Sequence, residues 1–331
     1  MTAQIASAVS LATMAVVALV AAIGTAPVVA QPQYPVKPVR LIVPFAAGGP
    51  VDTVGRTVAQ RLSEVWGQPV VIENRGGAGG SIGMEAMVRA APDGYTLGMG
   101  SLGSLALSPA IDPKLRYDPL KDVSPIASVA VTHYVLAVHP SVPAKSVQDL
   151  LRIARDKKGL LNYGSSGVGS ISHLIAELVQ GATGVALVHI AYKGTPIAPL
   201  MSGETDIGFM PLPSAEGPAK AGRLRLLAAT GSTRADGAKQ LPTLIEAGIK
   251  VHPVQGSYGL VGPAGLPREV VTRTNALINA ALKAPEFRQR LEQQGFEAVA
   301  PNSPEDYAKQ IRADLEVFGG VVRRAGIKPE S

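Results

Sequence analysis

Between Arg40 and Thr230 short apolar runs alternate with stretches in which apolar residues recur roughly every three to four positions, the pattern of a parallel sheet covered by helices. "RLIVPF", "PVVIENR" and "YTLGMG" read as the first three strands, with helices predicted over 53–63 and 81–90. A second series follows, with "LNYGSS", "ALVHIAY", "DIGFM" and "RLRLLAAT" as strands and helices over 146–157 and 170–180. Ser146 followed by Asp149 has the form of a capping box, with Asp in place of Glu or Gln, and marks the start of the first of these helices.

The two series are joined by β-rich "VSPIASVAVTHYVLAVHPSVP", and "VHPVQGSYGLVGPAGLP" follows the second. Helical patterns then cover 267–283, 285–294 and 304–324, with the short apolar "FEAVA" before the last. Two extended crossings imply a discontinuous first lobe. Residues 34–131 plus 253–331 would form it, 132–252 would form the second lobe, and the two would face each other across a hinged cleft suited to ligand capture.

Residues 1–30 carry no Lys, Arg, Asp or Glu, and an apolar run from Leu11 to Ile23 precedes "TAPVVA". This is the layout of an export signal cleaved after Ala30, without the usual basic start. A membrane anchor is the rival reading, since roughly 18 apolar residues can span a bilayer; the small residues before Gln31 favour cleavage.

The absence of Cys removes disulfides, thiolate zinc sites and a cysteine nucleophile together. A formal charge of +6 raises the question of nucleic acid, but Lys and Arg are scattered, adjacent only at Lys157-Lys158 and Arg323-Arg324, and aromatics make up 4%. No nucleic-acid partner is expected, and nothing in the sequence demands more than a monomer.

Two loops carry the candidate chemistry. "PFAAGGPVD" and "NYGSSGVGSISHL" each join a predicted strand to a predicted helix, where unpaired amides and the positive end of the helix dipole meet small residues that let a ligand approach. Open α/β sheets bind ligands at these strand ends. With no Lys or Arg from Pro44 to Val54 or from Asn162 to Leu174, a small carboxylate fits better than a polyphosphate. For one loop alone, glycine serving backbone geometry explains as much.

"GMGSLG" fits the dinucleotide fingerprint but is soon interrupted at Pro109; a third turn lining the cleft, with Ser101 and Ser104 as polar contacts, is more economical. "ENRGGAGGSIG" lacks the P-loop ending. Neither G-x-S-x-G nor H-E-x-x-H occurs. His173 and Glu177, spaced i, i+4, read as a hydrogen bond on a helix surface, since no third metal ligand is evident. His133, His139, His189 and His252 read as isolated structural residues. Asp52 reads as a first-turn helix acid that also orders the adjoining loop.

"RLIVPFAAGGPVDTVGR", "VVIENRGGAGGSIG", "APDGYTLGMGS", "NYGSSGVGSISHL", "YKGTPIAPLMSGETDIGFM", "GRLRLLAATGSTR", "LPTLIEAGI" and "GLVGPAGLP" together resemble, in order, the solute-binding proteins of tripartite tricarboxylate transporters, the Bug family. The resemblance implies an α/β, two-lobed, type II, Venus-flytrap-like periplasmic binding fold, each lobe a mainly parallel sheet flanked by helices. It implies a periplasmic receptor that takes a small organic acid without chemical change, needs no cofactor or metal, and passes its cargo to membrane permease subunits. On matching positions it implicates Phe45, Ala46, Ala47, Gly48, Gly49 and Asp52 from the first lobe, and Ser165, Ser166, Gly167, Val168, Gly169 and Ser170 from the second. Asn74, Ser101, Tyr192 and Asp206 are placed by motif and strand end; Tyr192 as simple packing and Asp206 as a loop brace are the alternatives. The family often has Trp where this chain has Ser257, which leaves space at the second crossing and opens the choice among dicarboxylates, tricarboxylates, aromatic acids, acidic amino acids and nicotinate-like acids. A sensor for a signalling partner, or an enzyme using the same cleft, are the competing uses.

Overall fold

The computed structural model describes residues 34–156, 160–192 and 195–327. The expected export segment 1–30, the Lys157-Lys158 pair and the last residue of the helix predicted over 146–157 lie outside them. The chain divides into Met1–Val36 and Lys37–Ser331, and the fold below is that of the second unit.

Its strands are β1 (Val39–Val43), β2 (Val70–Asn74), β3 (Thr96–Ser101), β4 (Val123–Val138), β5 (Asn162–Ser165), β6 (Val188–Ala191), β7 (Ile207–Pro211), β8 (Arg225–Ala229), β9 (Gln255–Pro263) and β10 (Glu297–Ala298). They pair in the order β2-β1-β3-β9-β4-β7-β5-β6, with β8 and β10 on β4. β1 lies parallel between β2 and β3, and β5 parallel between β6 and β7. β4 runs antiparallel to β9 over its first part and to β7 and β8 over its end, so this 16-residue strand belongs to both halves.

The apolar run of β1 is buried on both faces: Val39, Leu41, Ile42 and Val43 are each 0% exposed, as expected of a parallel strand covered by helices. The following helix, Pro50–Trp66, starts on Pro50, whose missing N–H costs nothing in a first turn. It stops at Gly67, which takes φ 63°, and it buries the stripe Val51, Val54, Val58 and Leu62. On the edge of β4 that β10 pairs, the side chain of Asn302 takes the place of a further strand partner. Its Oδ1 accepts Ser128 N at 2.9 Å and its Nδ2 donates to Ser128 O at 3.0 Å.

The last helix, Pro304–Ala325, opens with a capping box formed by Ser303 and Asp306. Tyr307 and Ile311 pack with Ile42, Met84 and Val261, whereas Phe318, Val321 and Val322 pack with Leu136, Tyr163 and Leu174. Leu102, Ala106 and Leu107 join that second cluster too. The sequence reading assigned both segments wholly to the first lobe; each touches the cores of both halves.

Three helices escaped the sequence reading. β3 leads into a wide π-type turn, Gly103–Leu107, and then the short helix Ser108–Ile111, which holds Pro109 in its first turn. Ile197–Ser202 and Leu212–Lys220 follow prolines, and Pro218 lies inside the latter, so breaker residues hide their period. Ser146 does cap its helix, accepting Asp149 N at 3.1 Å.

Gly259 of β9 lies between β3 and β4, with the buried Tyr307 ring where a Cβ would stand. Gly259→Ala is expected to destabilise the protein by about 1–3 kcal/mol by overpacking. The urea midpoint checks this; a wild-type midpoint would show that the ring moves aside freely.

Candidate functional site

The loop 44–49 between β1 and its helix is shaped by one buried carboxylate. Asp52, 1% exposed, accepts Gly48 N and Arg56 Nε on Oδ2, both at 2.8 Å, and Asn74 Nδ2 on Oδ1 at 2.9 Å. The same Asn74 amide donates to Phe45 O at 3.1 Å. Burial opposes the charge, but the hydrogen bonds from Arg56, Gly48 and Asn74 outweigh it and hold the carboxyl below its ordinary range. Loop, helix and β2 are thereby tied together. Gly48 takes φ 80°, open to glycine and strained for other residues. With Gly48 N on Asp52 and Gly49 N on Ala46 O, the amides of Ala46 and Ala47 have no acceptor among the described residues.

The glycines of "ENRGGAGGSIG" back this loop. A Cβ at Gly83 would stand 2.5 Å from Pro44 Cα, one at Gly80 2.9 Å from Phe45 Cζ, and one at Gly76 3.2 Å from Ala46 N. The fingerprint glycines Gly98 and Gly100 lie within β3, where a Cβ would meet Met87 at 2.8 Å and Leu105 at 2.5 Å. They make room for packing side chains and lie in a strand, so they are not placed as a phosphate-cradling loop.

The loop after β5 is built differently. Ser166 N donates to Ser172 Oγ at 3.0 Å, Gly167 N to Ser165 Oγ at 3.1 Å, Gly169 N to His173 Nδ1 at 2.9 Å and Ser170 N to Gly167 O at 3.2 Å. Ser170 caps the helix Ile171–Thr183 by accepting His173 N. The expectation of unpaired amides therefore fails for these four residues, because two serine hydroxyls, one imidazole and the Gly167 carbonyl already satisfy them. What this loop presents is the exposed Ser166, whose hydroxyl has no partner among the described residues, and the exposed Val168.

Behind it lie two histidines that the sequence reading left apart. The His173 and His189 rings stack with centroids 4.1 Å apart, and Tyr163 stacks on His189 at 4.9 Å. His189 Nε2 lies 2.6 Å from Ser165 Oγ. His173 is buried, not on a helix surface, and its Nε2 stands 3.8 Å from Glu177 Oε1, beyond a hydrogen bond. Its other nitrogen holds the loop through Gly169. His133 is likewise partnered, by Glu297 Oε2 at 2.7 Å. Pairings between strands and helices distant in sequence leave no spacing to read.

Both loops open onto a cleft of about 670 Å³. Phe45, Ala46, Gly49, Ser101, Ser166, Gly167, Val168, Gly169 and Ser170 line it. Ala47, Gly48, Asp52, Asn74, Ser165, Tyr192 and Asp206 do not. Asp52 and Asn74 brace the first loop, and Ser165 the second. Tyr192 OH donates to Glu204 Oε1 at 2.7 Å, and Asp206 exchanges bonds with Asn162, accepting its N–H at 2.9 Å. The reading missed Gly79, Leu107, Ile111, Asp112, Tyr134 and Tyr258 on the wall. Among the described residues no Lys, Arg or His lines this cleft.

An α/β chain in two halves, with a cleft at the carboxyl ends of its parallel strands, has the periplasmic binding-protein fold. The profile described as the tripartite tricarboxylate transporter family receptor matches residues 54–327, and the chain belongs to this family of periplasmic solute-binding receptors. BugT of Bordetella pertussis is 31% identical over 312 residues, covering 93% of this chain and 95% of that protein. A solved periplasmic transporter is 41% identical with a TM-score of 0.77, covering 90% of this chain and 100% of its own. Rpa4515 of R. palustris, solved with adipate, is 34% identical with a TM-score of 0.78 and the same coverage.

Burial and the neighbouring His173 lower the His189 pKa from 6.5 to about 4, and burial lowers that of His173. The unfolded chain takes up protons first, so this stability is complete above about pH 6.5 and is lost as pH falls toward 4. By pH 5, His189 is expected to account for about 1–2 kcal/mol of acid destabilisation, and His189→Gln should flatten that part of the slope. Urea unfolding between pH 7.5 and 5 checks it; parallel curves for the two proteins would contradict it.

Proposed function

We propose that this chain is an exported periplasmic receptor that reversibly captures a small organic carboxylate in the cleft and delivers it to the membrane permease subunits of a tripartite transporter. The observation that carries this reading is the loop 44–49, where the amides of Ala46, on the cleft wall, and of the adjoining Ala47 lack acceptors, and where no cationic side chain lines the cleft among the described residues. Neutral amides and hydroxyls give a carboxylate a hold it can release, whereas a polyphosphate calls for cations or metal. Ser101, Ser166 and the loop 166–170 would meet the acid from the other walls. Asp52, Asn74 and Ser165 would act through the loops they brace, and Tyr192 and Asp206 would stand outside the ligand shell.

The lobes divide near Thr132 and Pro253 in this reading, and the acid leaves chemically unchanged. Closure on the ligand would exclude water and strengthen each hydrogen bond to it. The receptor works as a monomer without cofactor or nucleic acid. Residues 1–30 direct export and are removed after Ala30. No described helix is long and apolar enough to cross a membrane.

Thermal unfolding of the chain from Gln31 onward, against carboxylates, sugars, amino acids and nucleotides, tests the reading. One or a few carboxylates alone should raise the midpoint by mass action. Gly49 has φ −78°, and a Cβ there would meet only Ala46 O, at 3.4 Å, so a β-carbon at this helix N-cap finds room. Gly49→Val should lower carboxylate affinity at least tenfold, while costing the ligand-free fold only about 1 kcal/mol for the poorer helix cap. A midpoint raised by nucleotides alone, or undiminished affinity in Gly49→Val, would count against it.

A further inference from the structure

The cleft wall carries a single ionised side chain among the described residues, and its charge is negative. Asp112 follows the helix Ser108–Ile111 and is half-buried; its Oδ1 accepts Lys114 N at 2.8 Å. No ion pair joins Asp112 to a cation among the described residues. It stands beside Ile111, whose side chain lies where a Cβ of Gly169 would be, so Asp112 belongs to the segment that meets the loop of the second half. Most of the remaining surface is apolar, with Phe45, Leu102, Leu107, Ile111, Tyr134 and Val168 on it.

This distribution treats the two ends of a bound acid differently. The free amides of Ala46 and Ala47 and the hydroxyl of Ser166 can hold one carboxylate. A second carboxylate would lose water against an apolar wall, with no cation among the described lining residues to compensate it and a like charge at Asp112. An alkyl or aromatic body would instead gain from the same wall.

Resting on the carboxylate-receptor reading, we propose that the cleft selects acids with one carboxylate and an apolar or aromatic body, and that Asp112 sets this selectivity by repelling a second anionic group. The small Ser257, buried on the cleft wall, leaves room for such a body.

Calorimetric titration with matched pairs tests this directly: hexanoate against adipate, octanoate against suberate, and 4-methylbenzoate against terephthalate. The monoacid of any pair that binds should bind at least tenfold more tightly than its diacid. Asp112→Asn, which keeps an oxygen for Lys114 N, should narrow the gap at least threefold by tightening the diacid more than the monoacid. Tighter binding of diacids, or a gap that Asp112→Asn leaves intact, would overturn this selectivity while sustaining the carboxylate receptor. Failure of every acid, mono or di, to bind would overturn both.

Discussion

The buried carboxylate of Asp52 is the interaction on which the candidate site depends. It fixes Gly48 in a left-handed conformation, holds Asn74 where its amide also reaches Phe45 O, and leaves the amides of Ala46 and Ala47 without acceptors among the described residues. A carboxylate 1% exposed persists as an anion only because several hydrogen bonds meet it at once. Arg56, the one cation of the set, therefore spends its charge on Asp52 behind the loop, and no cation lines the cleft among the described residues. The glycines facing the loop complete the arrangement, since Gly76, Gly80 and Gly83 allow a close approach that side chains would block.

The two halves solve the same problem unequally. After β1 the loop is held by a carboxylate behind it and presents amides; after β5 the amides turn inward to Ser165, Ser172 and His173, leaving a hydroxyl and an apolar side chain outside. β4 joins both sheets, while the helix Pro304–Ala325 and the turn Gly103–Leu107 pack into both cores. A rearrangement of the halves must pivot about all of these, which favours small rotations over free swinging.

Much of the fold was legible in the sequence because its signals are local. The apolar run of β1, Pro50 at a helix start and Ser146 capping Asp149 each act within a few residues, and the two loops appear as small residues between strand and helix. The helices around Pro109, Pro196 and Pro218 were hidden by residues that normally break them, their stability coming from packing across the chain. The site was legible as loops but not in its wiring. Which amides remain free depends on Asn74 reaching back to Asp52 and on His173 turning its ring toward Gly169. The contact of His189 with His173 joins a strand to a helix, and the place of Asp112 on the cleft wall follows from a π-type turn that no periodicity announces.

Amide ¹H–¹⁵N spectra of the chain from Gln31 onward, recorded while a binding carboxylate is titrated in, test the account most directly. The Ala46 and Ala47 signals should show the largest downfield proton shifts and saturate together with binding, as amides do when they gain a charged acceptor. Binding that leaves these two signals in place while perturbing amides elsewhere would contradict it.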